Sequence, residues 1–417
     1  MIQSIEQAVR KSILCILERF ERYNGQYDFV DTKFDIVSDR DFGPADEEFR
    51  QKGCIYAWIQ GRGLESLAKH AEFFEQKGDK DLAQRLKVML ARVADNMEKL
   101  RAVNHGRLPF AMRENGESFF VQVPSEANYS DLFYSKGLFA AGRVLNNPTY
   151  CQRGRELLIR VLEAVRNRTF RTDQQSFDPK NQVEFVQGKF QQGPRMISLG
   201  GIADMLNAYP AEQLWSDYAE EFINFILQKH VNNGQYSQLQ KFDFIESLDE
   251  SDQPWYDGAI LFSDPGHALE FTGLAAKCLT ILHRQNRAGE LIKSAGTMLP
   301  QIFCHVFDYG FSRTAGGVVK GYDLISRQAT NSDMPWWSLP ESVRSGILLS
   351  RLYPQNMQSE ILLRTGAAFQ AFTQGFLQKN GFGCQTRDEN GKIINVIPAV
   401  SDADPGYHTN LSLLDVL

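Results

Sequence analysis

The sequence predicts an all-α fold, a closed ring of about six antiparallel helical hairpins with small β-hairpins in the connecting loops. Apolar residues recur at the i, i+3, i+4, i+7 spacing of an amphipathic helix along most of the 417 residues. The periodic segments fall in pairs separated by breaks of a few residues, as antiparallel helices do. No Pro/Gly/Ser-rich linker or run of like charge divides the chain, so a single domain over residues 1–417 is expected.

The periodic segments cover roughly 3–23, 53–77, 79–103, 129–145, 149–168, 195–208, 211–230, 265–284, 288–306, 336–352 and 356–378. Lys77-Gly78-Asp79 and Asn146-Asn147-Pro148 are breaks of the kind that join the two arms of a hairpin. The stretch RLPFAMRENGESFFVQV sets an Asn115-Gly116 turn between apolar runs and predicts a β-hairpin. GFGCQTRDENGKIINVIP repeats the device at Asn390-Gly391, and a short helix after Pro405 brings the helices to about a dozen. The hairpins vary in length and show no tetratricopeptide or HEAT consensus at a fixed period, which favours a closed ring over an open superhelical stack.

Composition narrows the function. With 43% hydrophobic and 23% charged residues the chain is globular, and a formal charge of -6 supplies no basic field for nucleic acid or an anionic membrane. The six cysteines (Cys15, Cys54, Cys151, Cys278, Cys304, Cys384) are scattered without C-x-x-C spacing and read as reduced, mostly buried thiols, hence a cytoplasmic location. Near the N-terminus the apolar run Ile13 to Leu17 is cut by Glu18 and Arg19, too short for a secretory core or a membrane span. Neither a G-x-S-x-G elbow nor a phosphate loop occurs, and the glycines from Gly310 to Gly317 lack the strand-then-helix context of a nucleotide site.

One tripeptide occurs twice: Asp264-Pro265-Gly266 directly before His267, and Asp404-Pro405-Gly406 one residue before His408. Aspartate is a good N-cap and proline suits the first helical position, so both histidines are expected in the first turn of a helix. There the helix dipole disfavours imidazolium, leaving two neutral imidazoles fit to act as bases, with activity falling in acid. The plainer reading is a helix-start signal with capping or core histidines; its recurrence weakens that reading. His267 and Glu270 share a helical face, so the carboxylate is expected to orient the imidazole or share its proton. H-E-x-x-H is absent, and His70, His105, His230, His283 and His305 show no ligand spacing, so no bound metal is expected.

Trp336 and Trp337 stand just before Glu341 at the start of a helix and read equally as a sugar-stacking pair or as core. In the second helix Tyr56, Trp58, Gln60 and Arg62 lie within two turns. Gly61 and Gly63 each sacrifice roughly 1 kcal/mol against alanine, which points to close helix packing or to open space around Arg62. Arg62 offers fixed donors to a sugar oxygen or a developing enolate, with a surface salt bridge as the competing explanation.

YAWIQGRG, SDLFYSKGL, DPGHALEF, PWWSLPE and DPGYHTNLSLL, in this order over most of the chain, resemble the N-acylglucosamine 2-epimerase superfamily. The resemblance implies an (α/α)6 barrel that interconverts reducing sugars without metal or redox cofactor. It carries Arg62, His267, His408, Glu270 and Glu341 over as catalytic residues and Trp336 and Trp337 as the sugar-facing pair; Tyr56, Trp58 and Arg195 are further candidates for substrate binding. The implied reaction opens the ring, moves the carbon 2 proton to one histidine while Arg62 steadies the enediolate, and returns a proton from the other. Aldose–ketose isomerases of the superfamily use a further histidine near the sixth or seventh helix. This chain has none between His105 and His230; the corresponding stretch is GPRMISLGGIADML, where Arg195 or Met196 lines the pocket instead. Epimerisation of an N-acylglucosamine, N-acylmannosamine or aldose is therefore expected. The alternatives are an aldose–ketose isomerase of the mannose/fructose type and a noncatalytic sugar-binding protein. A glycoside hydrolase or lyase using Asp264, Glu270, Asp402 or Asp404 is a further rival. The expected partner is a small reducing sugar, and the resemblance allows a homodimer.

Overall fold

The computed structural model describes residues 2–122, 124–177, 183, 185–394 and 403–417. Twelve helices run along it: α1 (Ile2–Arg22), α2 (Ala57–Gln76), α3 (Lys80–Val103), α4 (Tyr129–Val144), α5 (Pro148–Arg166), α6 (Gly193–Ala208), α7 (Gln213–Phe225), α8 (Pro265–Arg284), α9 (Gly289–Gly310), α10 (Ser338–Leu352), α11 (Gln358–Ala371) and α12. The last opens with a π turn, Tyr407–Leu411, and ends with Ser412–Leu414; α7 and α11 run on into π turns at Ile226–His230 and Phe372–Phe376. Each periodic segment of the sequence forms a helix. The segment 53–77 begins late as a helix because Ile55–Tyr56 is strand, and in 336–352 a two-residue turn at Trp336 and Trp337, after the strand Met334–Pro335, precedes α10.

The even-numbered helices make an inner ring. Each packs on the next, α2 through α12, and the opening turn of α12 packs back on α2, so the ring is closed. The odd-numbered helices lie outside, each against a neighbour in sequence, with α1 on α12. Burial follows from position: inner α4 buries 13 of its 16 residues, whereas outer α5 buries seven of its 19 and keeps an amphipathic face. The inner helices approach closely at α2 and α4, where a Cβ on Gly137 would lie 2.2 Å from the Gly61 carbonyl oxygen. A Cβ on Gly61 would lie 2.7 Å from the Phe133 backbone, so of the two readings of Gly61 the structure has close packing.

The breaks at Lys77-Gly78-Asp79 and Asn146-Asn147-Pro148 each carry a side-chain cap. Asp79 accepts from Leu82 N, and Asn147 accepts from Thr149 N and Tyr150 N with Pro148 at the helix start. The Asn115-Gly116 turn closes a bridge between Met112 and Ser118, and the Asn390-Gly391 turn joins paired strands Thr386–Arg387 and Ile393–Ile394. The final residues of that second predicted hairpin lie outside the described residues.

Four inner helices start within two residues of a paired strand: α2 after Ile55–Tyr56, α6 after Phe190–Gln191, α8 after Phe262–Ser263 and α10 after Met334–Pro335. These short antiparallel ladders fix where each helix begins and so gather the first turns around one end of the ring. All six cysteines are free thiols, four of them buried. Among the described residues no helix is long and apolar enough to cross a membrane.

Candidate active site

A cavity of about 420 Å³ opens at that end of the ring, lined among others by Arg62, Arg195, His267, Glu270, Trp337 and His408. These residues come from α2, α6, α8, the strand-to-α10 corner and α12. They are far apart in sequence and meet only because the ring closes.

His267 sits in the first turn of α8, as its Asp-Pro-Gly start predicts. Asp264 is the N-cap, its Oδ1 accepting from His267 N at 3.2 Å, with Pro265 at the first helical position. The expected neutral imidazole is not found. Burial pulls the His267 pKa down, but Asp264 and Glu246 outweigh it and raise it to about 9. Nδ1 lies 3.0 Å from Glu246 Oε1 and 3.5 Å from Asp264 Oδ2, and Lys320 Nζ donates to Asp264 Oδ2 at 2.6 Å. Two buried carboxylates at contact distance overcome a helix dipole that acts through partial charges. The carboxylate that orients His267 is therefore Glu246 rather than the expected Glu270.

His408 reaches the cavity by a different backbone. Asp404 caps the turn through both oxygens, accepting from Tyr407 N at 2.8 Å, His408 N at 3.3 Å and Thr409 N at 2.9 Å. Here Pro405 is not the first helical residue: Gly406 takes φ +81° and the helix opens one residue later as a π turn. His408 Nδ1 lies 3.2 Å from Glu341 Oε1, and the other oxygen of Glu341 pairs with Arg344, which also faces Asp415 at 3.7 Å. Although burial opposes it, Arg344 and His408 hold Glu341 below the usual carboxylate range. Burial and the Glu341 charge push neighbouring Glu270 up, so of the two carboxyls Glu270 holds its proton to the higher pH.

Glu270, Glu341 and His408 bring ligand atoms within 4.8 Å of one another, a grouping across three helices that sequence spacing did not anticipate. Both oxygens of Glu341 in this group already have partners, His408 and Arg344.

Trp337 joins the two histidines. Its ring centroid is 5.5 Å from that of His267, at an interplanar angle of 34°, and 5.5 Å from that of His408, at 39°. Trp336 donates Nε1–H to Thr409 Oγ1 at 3.0 Å, which ties the strand-to-α10 corner to α12. Because each Nδ1 faces a carboxylate, Nε2 is the nitrogen that each imidazole has left for a ligand.

Arg62 lies 4.0 Å above the Phe133 ring, with Tyr407 at 5.3 Å and Trp58 at 5.7 Å. It has no salt bridge among the described residues, and burial lowers its pKa, so the surface-pair explanation fails. Trp58 lines the cavity, its Nε1–H donating to Asp173 at 3.1 Å; burial raises Asp173 to about 6. Tyr56 does not reach the cavity. It is the last strand residue before α2, and its hydroxyl donates to the Phe49 carbonyl at 3.1 Å. Gln60 is likewise turned away, bonded to the Val30 backbone at both ends of its amide. Arg195 lines the cavity from the first turn of α6, whereas its neighbour Met196 is wholly buried in the core.

Glu246, Lys320, Arg344 and Phe133 complete the site and were not singled out from the sequence. Phe133 stands within SDLFYSKGL, which carried the resemblance without an assigned role. Glu246 sits in the irregular stretch between the π turn Ile226–His230 and the short strand Ser247–Leu248, with no period or capping pattern to mark it.

The ring and its cavity define the class of protein as an (α/α)6 barrel, an architecture found in solved sugar-converting enzymes. A sugar epimerase from a ruminal bacterium superposes with a TM-score of 0.69 at 12% identity, covering 100% of this chain and 98% of that one. A D-mannose isomerase gives 0.70 at 12%, covering 99% and 97%. The cellobiose 2-epimerase of Bacillus thermoamylovorans gives 0.67 at 12%, covering 99% and 98%. Among curated protein sequences none matches the chain significantly. The chain belongs to the N-acylglucosamine 2-epimerase family, which it matches over residues 67–409. It is an enzyme of the isomerase class, a sugar 2-epimerase or isomerase.

Proposed function

We propose that the protein epimerises carbon 2 of a reducing sugar through an enediolate, the whole chain acting as one catalytic domain without a cofactor. The observation that carries this reading is the pair of imidazoles, each with its ring centroid 5.5 Å from that of Trp337 and each tied through Nδ1 to a buried glutamate. A sugar carbon held against the tryptophan lies between two groups able to exchange protons with it from opposite directions.

The charge states divide the work. His408 Nε2 takes the proton from carbon 2 of the opened aldose, and the electron pair moves into the carbonyl at carbon 1 to form the enediolate. Arg62, free of any carboxylate partner among the described residues, stabilises the developing oxyanion. His267, held protonated by Glu246 and Asp264, returns a proton to carbon 2 from the other face, and the configuration inverts. Glu270, whose carboxyl burial and the Glu341 charge push up, is the group that donates to a sugar oxygen during ring opening. In the reverse direction the histidines exchange roles. The absence of a histidine in the first turn of α6, where Arg195 stands, favours return to carbon 2 over delivery to carbon 1.

The test is incubation in deuterated water with N-acetylglucosamine, N-acetylmannosamine, glucose, mannose, fructose and cellobiose, followed by proton NMR. Deuterium at carbon 2 together with the epimer is expected. A ketose product would assign the isomerase reaction instead, and cleavage of a disaccharide whose reducing end is blocked would assign a hydrolase. No exchange with any sugar would contradict the catalytic reading.

A further inference from the structure

Arg195 is a buried cation with no ion pair among the described residues. It is 6% exposed, its guanidinium lies 3.8 Å above the Phe225 ring and 5.8 Å from that of Phe222, and no carboxylate or carbonyl among the described residues takes a hydrogen bond from it. Its Nε is shut off from solvent with no partner. Burial, reinforced by the charge of Arg168, lowers its pKa to about 10. Arg344, equally buried, shows the usual solution, with Glu341 and Asp415 facing it. A buried charge left unpaired costs far more than a paired one, so Arg195 is retained against a penalty that a ligand can relieve.

The wall around Arg195 has the same sign. Arg171 lines the cavity with its guanidinium 4.1 Å above Phe185 and without a carboxylate partner among the described residues; Arg168 and Lys189 line it too, paired outward with Asp252 and Asp257. The N-terminal end of α6 adds its free amides, and no acidic residue stands in its first turn. The lining carboxylates, Glu270 and Asp404, come from α8 and the approach to α12, and Asp404 is committed to backbone amides. In the inner ring α6 stands three places from α12, so Arg195 lies across the cavity from His408.

We propose that this wall is an anion subsite, and that the sugar carries an oxyanion, a carboxylate or a phosphate ester, at the end of its carbon chain remote from carbon 2, seated on the Arg195 guanidinium. Arg171 and Arg168 form the rim that draws the anion in. The inference rests on reading the cavity as the sugar site and names the class of sugar it selects.

The test uses calorimetric binding to the full chain at low salt, with glucose, glucuronate, glucose 6-phosphate, mannose, mannose 6-phosphate and inorganic phosphate. At least one anionic sugar is expected to bind at least about tenfold tighter than its neutral parent, with the carboxylate and phosphate arms identifying the anion. In Arg195→Met, which keeps the apolar stem over Phe225, that selectivity ratio collapses towards one; in Arg195→Lys it falls only in part. The ligand-free melting temperature of Arg195→Met is expected to equal or exceed that of the wild type, because an uncompensated charge has gone. Equal affinity for neutral and anionic sugars, an anion preference untouched in Arg195→Met, or a large drop in its ligand-free melting temperature would each overturn the proposal. Selective binding of anionic sugars without turnover leaves the subsite standing and removes the epimerase reading; turnover of neutral sugars without anion preference does the reverse.

Discussion

The tripeptide Asp-Pro-Gly builds two different histidine stations on the same ring. At α8 it gives a regular start: Asp264 caps, Pro265 enters the helix and His267 follows in the first turn. At α12 the same three residues end on a left-handed Gly406, the helix opens as a π turn, and Asp404 takes three backbone amides instead of one. The electrostatics differ as well. His267 faces two carboxylates, one of them also held by Lys320, and is raised to about 9; His408 faces Glu341, whose charge is shared with Arg344. Local sequence therefore places a histidine at a helix start, while the partners brought by the rest of the ring decide its charge. On the mechanism we propose, that difference divides acid and base between two like residues.

The largest effect expected comes from removing either histidine. His408→Gln or His267→Gln is expected to lower kcat/KM for epimerisation by about 10²- to 10⁴-fold, read by NMR of the product epimer; full epimerisation in both would break the comparison. Arg62→Gln follows at about 10²- to 10³-fold, mostly in kcat, because its partner forms only as the enediolate develops. Steady-state kinetics showing a change in KM alone would move Arg62 to ground-state binding.

Glu246→Gln sharpens the comparison by making the His267 station resemble a simple helix start. In the wild type the protonated His267 is lost as pH rises through about 9, so kcat/KM falls in alkali. The variant is expected to move that limb to lower pH by about one unit or more, as removal of a contacting carboxylate does. The stability consequence has a definite sign. The folded pKa lies above the ordinary 6.5, so the His267 cluster contributes fully below that pH and loses its contribution as pH rises through about 9. Melting temperatures between pH 6 and 10 check this, and Glu246→Gln is expected to flatten the decline.

The smallest effect separates the two backbones. Gly406→Ala is expected to cost about 1 to 2 kcal/mol in urea unfolding, since an alanine at φ +81° is strained and its Cβ would lie 2.8 Å from Ser66 Oγ. Gly266 has no such dihedral; a Cβ there would lie 2.7 Å from the Trp337 ring, so Gly266→Ala is expected to act on turnover by displacing the tryptophan.

Much of the fold was legible because it rests on period and punctuation. The helical spacing, the breaks at Lys77-Gly78-Asp79 and Asn146-Asn147-Pro148 and the Asn-Gly turns are local signals, and each appears where the sequence put it. The repeated Asp-Pro-Gly and the paired tryptophans likewise brought His267, His408, Trp336 and Trp337 into one cavity. What local pattern could not supply was partnership. Glu246 orients His267 from a non-periodic stretch 21 residues upstream, and Glu341 serves His408 across 67 residues. Glu270 shares a face with His267 by spacing but turns to the Glu341 group instead. Tyr56 failed as a site residue because the strand before α2 resets which side chains face the ring axis.

The most direct test of the division of labour is exchange at carbon 2 in deuterated water with single histidine variants, starting from the aldose on whose carbon 2 proton His408 acts. His267→Gln is expected to keep washing out the carbon 2 proton while forming little epimer, because His408 still removes the proton and only delivery to the opposite face is lost. His408→Gln is expected to show neither exchange nor epimer. Exchange retained in His408→Gln and abolished in His267→Gln would contradict the assignment of base and acid.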